Sequence, residues 1–179
     1  AGYNQLFQES TADQVLILNQ DLYLMDDCIE AMSSAILEEP GIAAVAPTLL
    51  RWQYPTGMMR TIDALGLKVW RSRRIVEWMR GRDWSKEMIV DLAAANLSKL
   101  KKLSGHNALE VFGVSGTLAI FRRSALDKIA GESGQIFDAS FGSYKEDVDL
   151  AWRLRSSGYK AYVLLDTLAY HERAVAGGS

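Results

Sequence analysis

Three of the four residues Glu146-Asp147-Val148-Asp149 are acidic, and they open a stretch with helical spacing. On a helix, positions 146 and 149 share a face while 147 points elsewhere. Asp149 precedes Arg153 by four positions, the spacing of an intrahelical ion pair, which leaves Asp147 to face a cleft. Adjacent carboxylates raise one another's pKa, and that suits one of them to general-base work. The same acids also simply complement the dipole of a helix start; both readings stand on the residues alone.

A second candidate is Asn19-Gln20-Asp21, directly after a short apolar run. Ligands of open α/β sheets bind beyond the carboxyl ends of strands, and a carboxylate there can hold a hard divalent cation against a diphosphate. Asn and Asp equally make turns. His171, beyond the last apolar run, is either a ligand or a structural histidine, and His106 reads as a surface residue in a polar loop. In Phe112-Gly113-Val114-Ser115-Gly116, glycines around a small polar residue let backbone N–H groups approach a ligand, or make a tight turn between strands.

These residues need elements to hold them. Residues 14–19 (QVLILN) read as a buried strand. Asp26 or Asp27 caps a helix with Ile29, Met32, Ala35 and Ile36 on one face, which Pro40-Gly41 ends. A strand over 42–46 completes a βαβ unit. Residues 61–70 and 74–79 read as extended or hairpin segments. Residues 83–103 read as a helix with Ile89, Leu92, Ala93, Asn96, Leu100 and Leu103 on one face, stopped at Gly105. A strand over 117–121, a short helix over 124–130 and a helix over 145–157 with Val148, Leu150, Ala151 and Leu154 inward follow. The chain closes with a strand over 161–165, an extended 167–171 and a fraying tail over 174–179. The expected class is α/β.

Composition narrows the function. Apolar residues make up 49% of the chain, against disorder, and a net charge of −2 provides no global field for nucleic acid. The longest uncharged stretches are 11 residues, short of the roughly 17–25 a spanning helix needs. A single cysteine, Cys28, precludes an internal disulfide. Charge is uneven: residues 51–102 hold 12 Lys/Arg and 5 Asp/Glu, between flanks that are net acidic. This basic middle could approach an anionic acceptor at a membrane face. The chain starts at Ala1 rather than Met, which fits a piece of a longer polypeptide.

In this order the motifs resemble the family-2 inverting glycosyltransferases of GT-A fold, and most closely their rhamnosyltransferase-like branch. The likeness runs from Gly2-Tyr3-Asn4-Gln5 through Val15-Leu16-Ile17-Leu18-Asn19-Gln20-Asp21 and Ala44-Val45-Ala46-Pro47. It continues through 112–116 with Arg122-Arg123 and Lys145-Glu146-Asp147-Val148-Asp149-Leu150-Ala151-Trp152-Arg153, and ends at Ala169-Tyr170-His171. Residues 60–105 fall outside it.

The resemblance implies a mostly parallel central sheet flanked by helices, lacking the family's N-terminal nucleotide-binding segment. It implies one glycosyltransferase-like domain over 1–179: a βαβ with the metal-site loop (1–50), a basic variable acceptor-side segment (51–107) and a catalytic-base half (108–179). Asp21 would hold Mg²⁺ or Mn²⁺, with His171 completing the metal shell. Asn19 stands where the family's first motif acid stands. Asp147 would be the catalytic base, with Glu146 beside it shaping the acceptor side. Asn19, Gly113, Ser115, Gly116 and Arg153 would serve donor or acceptor binding. The implied partners are a nucleoside-diphosphate sugar and a glycan or polyprenyl-diphosphate-linked acceptor in surface polysaccharide synthesis, with no nucleic acid. A cytoplasmic place at the inner membrane face, peripheral membrane contact and a homo-oligomer or partner chain are further expectations. Two other readings compete: an inactive fragment or non-catalytic glycan- or partner-binding module of the same fold, and a metal-dependent phosphate-ester hydrolase.

Overall fold

The computed structural model of the chain describes residues 2–138 and 145–172, so the tail over 174–179 lies outside the described residues. The first part holds α1 (Gly2–Glu9), β1 (Gln14–Leu18), β2 (Leu22–Leu24), α2 (Cys28–Leu37) and β3 (Ile42–Gln53). Next come β4 (Gly57–Ala64), β5 (Leu67–Val69), β6 (Ile75–Glu77) and α3 (Lys86–Ala95). The last part holds β7 (Leu100–Leu103), β8 (His106–Val111), β9 (Leu118–Arg122), α4 (Arg123–Ala130), α5 (Glu146–Ser156) and β10 (Lys160–Glu172). Eight strands form one sheet in the order β1-β9-β3-β10-β8-β7, with β2 added to β10 and β4 to β3, while β5 and β6 make a separate hairpin.

The α/β class holds, and the sheet is mixed. β3 and β10 pair in parallel at its centre, and the other described pairs are antiparallel. The expected βαβ unit is present in direction but not as neighbours: β9 lies between β1 and β3, antiparallel to both. The β3–β4 and β7–β8 pairs are antiparallel because their joints are short, and parallel neighbours need a crossover of a dozen or more residues. The joint between β7 and β8 is Ser104-Gly105 alone, with φ of 46° and 87°, the left-handed pair a two-residue hairpin demands.

Helices cover both faces. α2 packs Cys28, Ala31, Met32, Ala35 and Ile36 into one core cluster, and α4 and α5 pack Ala125, Leu126, Leu150 and Leu154 into the other. Ile29 is 44% exposed instead of inward. The helix starts at Cys28, and 28, 31–32 and 35–36 are the positions that share its apolar stripe. Arg122 donates to the carbonyls of Ile36 and Glu39, closing the carboxyl end of α2.

Two expectations are corrected. The long helix over 83–103 is shorter: Ser85 caps its start by accepting from Met88 N at 3.0 Å, and Asn96 Nδ2 donates to Leu92 O at 2.8 Å at its end. Beyond it, residues 100–103 pair with β8 as strand β7, so Leu100 and Leu103 reach different core clusters. The expected extended continuation over 167–171 holds, as one strand β10 with a bulge: pairing with β3 shifts between Leu164 and Leu168. Buried Thr48 donates to Leu164 O at 3.1 Å, satisfying a carbonyl there. Such bulges re-aim a strand next to functional sites. His106 opens β8 and holds Asp166 at 3.1 Å instead of standing in a loop. Arg71, Arg73 and Arg74 are exposed at the turn of the β5–β6 hairpin.

Candidate functional site

One wall of the site is built by strand pairing. β2 runs antiparallel to the end of β10 with Leu22 opposite His171, so Asp21 stands at the rim beside that histidine. The loop is held by Asn19 N donating to Thr117 O and Glu172 N donating to Asp21 O, both at 2.9 Å. His171 Nε2 lies 3.2 Å from Asp21 Oδ2 across 150 residues of sequence. Asp21 Oδ1 is buried and makes no hydrogen bond. His171 Nδ1 lies 2.7 Å from Oδ2 of Asp63 on β4. Asp63 is 1% exposed, and Arg51 Nε stands 3.6 Å from its Oδ1.

The opposite wall is the first turn of α5. Gly116 N donates to Asp147 Oδ2 at 3.2 Å, and Val148 N to Oδ1 at 2.8 Å. Burial pushes the Asp147 pKa up, those backbone N–H groups partly oppose it, and the Glu146 charge adds to the rise. Glu146 Oε2 is itself buried without a hydrogen bond. Lys145 enters the helix at φ 76°, a left-handed conformation rare for a side-chain-bearing residue. Val148, expected inward, is half-buried and faces the cleft.

Between the walls lies a cleft of ≈ 440 Å³, lined by Asn19, Ser115, Gly116, Glu146, Asp147 and His171, with Glu77, Arg80 and Lys145 also on its surface. Arg80 Nη1 holds Glu77 Oε2 at 2.7 Å. Asn19, Ser115, Gly116, Glu146, Asp147 and His171 thus converge, Asp21 adjoins them through His171, and three candidates are differently employed. Arg153 pairs with Asp149 at 2.7 Å and donates to Ile136 O, tying α5 to the loop over 131–138. Gly113 is a packing residue: a Cβ there would lie 2.3 Å from Ala151 Cβ, and its carbonyl accepts from Leu67 N at 2.8 Å. The Ser115 hydroxyl is turned to Thr117 at 3.0 Å.

Asp63 and Arg51 escaped the sequence reading. The only signal was one acid between Ile62 and Ala64-Leu65, in a stretch that lay outside every motif. No group of three or more His, Cys, Asp and Glu among the described residues is placed to hold a metal ion. Asp21 and His171 nevertheless fit two positions around a hard divalent cation. The buried Oδ1 of Asp21 lacks a donor, and such ions complete their shell with phosphates and water.

No family model matches the chain, and no curated protein does. Among solved structures, GalNAc-T7 with UDP, GalNAc and Mn²⁺ superposes with TM-score 0.66 over 98% of this chain, at 11% identity. The chain spans 30% of that structure's length. A197 from STIV superposes over 96% of the chain and 63% of its own at 16% identity, but its TM-score of 0.49 carries no argument. The chain therefore has a GT-A-like α/β fold. At this identity the likeness defines the fold and leaves the chemistry to the residues of the cleft.

Proposed function

We propose that this chain is the catalytic part of an inverting family-2 glycosyltransferase of the rhamnosyltransferase-like branch, acting in surface polysaccharide synthesis. The observation that carries the reading is the convergence on one cleft of Asp147, a half-buried carboxylate with a raised pKa, and His171, whose Nε2 lies 3.2 Å from Asp21 Oδ2. The GT-A-like fold and the Mn²⁺ and UDP named for the similar structure support it.

Asp147 accepts the proton of an acceptor hydroxyl whose oxygen bonds to the anomeric carbon. The bond from that carbon to the donor's phosphate oxygen breaks, and the nucleoside diphosphate leaves with the electron pair. A base opposite the leaving group makes this a single displacement with inversion. Unlike a glycosidase, which sets two carboxyl groups on one bond, the site uses one base. Asp21 and His171 would hold Mg²⁺ or Mn²⁺, which supplies charge neutralisation for the departing diphosphate. The acceptor is a glycan or a polyprenyl-diphosphate-linked sugar.

The test is a thermal-shift titration with UDP and with thymidine diphosphate, each with and without Mn²⁺, on wild type and Asp21→Ala. A ligand at 100 times its Kd adds about 2.7 kcal/mol of stability. A Mn²⁺-dependent shift absent in Asp21→Ala is the expected result. A cooperative melt that no nucleotide moves would remove the donor site.

A further inference from the structure

We infer that Asp63, braced by Arg51, is a positioning residue that fixes the orientation of His171 and turns its Nε2 toward the cation beside Asp21. This deepens the metal-dependent reading above and rests on it. Asp63 lies on β4, within the segment that no motif touched, and is 1% exposed. Buried carboxylates of this kind are costly unless paired. Its two oxygens have distinct neighbours: Oδ2 is 2.7 Å from His171 Nδ1, and Oδ1 is 3.6 Å from Arg51 Nε.

The chemistry of the donor set fixes the direction of the first contact. An ionised carboxylate only accepts, so the proton in the short contact belongs to Nδ1. Nε2 then faces Asp21 Oδ2 at 3.2 Å, next to the buried Asp21 Oδ1 that lacks a donor. A neutral ring protonated at Nδ1 presents its Nε2 lone pair there, which is the form a divalent cation requires. Histidine ligands are commonly held this way, with an outer carboxylate on the second ring nitrogen. The strands make the arrangement rigid: Arg51 and His171 are direct partners in the parallel β3–β10 pairing, and β4 lies against the other edge of β3. The chain thereby brings residues 51, 63 and 171 into line behind residue 21.

Two measurements test it. First, Mn²⁺ alone is titrated into the full chain and followed by the electron paramagnetic resonance signal of the free ion, for wild type and Asp63→Asn. Loss of an outer partner of this type weakens metal binding about 10–100-fold, and that is the expected change in Kd. Equal affinities would overturn the inference while leaving the metal reading intact. A wild-type chain that takes up no Mn²⁺ would overturn both. Second, long-range ¹H–¹⁵N correlation on metal-free wild type reads the His171 ring directly, with the other histidine assigned through His106→Gln. A proton on Nδ1 is expected. A ring bare at Nδ1 and protonated at Nε2 would overturn the proposal even if Asp63→Asn failed to fold.

Discussion

The two walls of the cleft are built by opposite strategies. The Asp147 wall is local: Glu146, Asp147, Asp149 and Arg153 belong to one helix, and their partners lie in the loop between β8 and β9 and at Ile136. The Asp21 wall is assembled from four distant places, with Asp63 and His171 108 residues apart and Asp21 and His171 150 apart. A helix start is specified by neighbours in sequence. A histidine between two carboxylates is specified by strand register, where a slip of one residue turns every side chain to the other face. The Asp147 wall should therefore tolerate changes that keep the helix, while the Asp21 wall depends on the whole sheet.

The largest effect sharpens this contrast. Asp147→Asn keeps the shape of the Asp147 wall and removes the proposed proton acceptor, so transfer is expected to fall about 10²–10⁴-fold while the Mn²⁺-dependent nucleotide shift persists. Losing both would mean that the walls are not separable. The pH dependence carries a definite sign. The proposed base must be ionised, so in wild type the rate is expected to fall as pH drops through a pKa raised by burial, above the ordinary aspartate range. A carboxyl of raised pKa binds its proton more tightly folded than unfolded. Its stabilising contribution is full below the ordinary aspartate value and is lost as pH rises through the raised one. Asp147→Asn should gain stability relative to wild type over that window, as measured by urea unfolding across a pH series.

A smaller effect separates packing from chemistry within the Asp147 wall. Gly113→Ala would place a methyl 2.3 Å from Ala151 Cβ and is expected to cost about 1–3 kcal/mol of stability. Gly116→Ala meets Asp147 Cβ at the milder distance of 3.3 Å. It is expected to cost less than about 1 kcal/mol yet to slow transfer, because the displaced group is the proposed base. Equal losses of stability at both positions, read from urea midpoints, would contradict this division. The last effect lies on the strand side. Thr48→Val removes the hydroxyl that satisfies Leu164 O in the bulge of β10 and should cost about 1–2 kcal/mol. Its interest is that the bulge lies seven residues or fewer from His171, so Mn²⁺ affinity should fall with it.

How much was legible follows the same division. Helix α5, its Asp149–Arg153 pair and its buried Leu150, Ala151 and Leu154 could be read from spacing alone, because helical neighbours are three and four residues apart. The glycine-flanked loop was recognisable, but not that Gly113 serves close approach to Ala151. Residues 100–103 read as helix in the sequence because Leu-Lys-Lys-Leu fits helical spacing as well as a strand that puts its two leucines in different core clusters. Asp63 was invisible as a site residue, since an acid inside an apolar strand shows its purpose only when its partner is known.

The sequence by itself determined the α/β class, the start of α5 and the candidacy of Asp21, Asp147 and His171, because each depends on residues within a turn or a strand of one another. Only the tertiary structure decided that β9 separates β1 from β3, that the sheet is mixed, and that Arg51 and Asp63 stand behind His171. Those facts arise from hydrogen bonding between strands remote in the chain, and no local pattern encodes which strand will lie beside which.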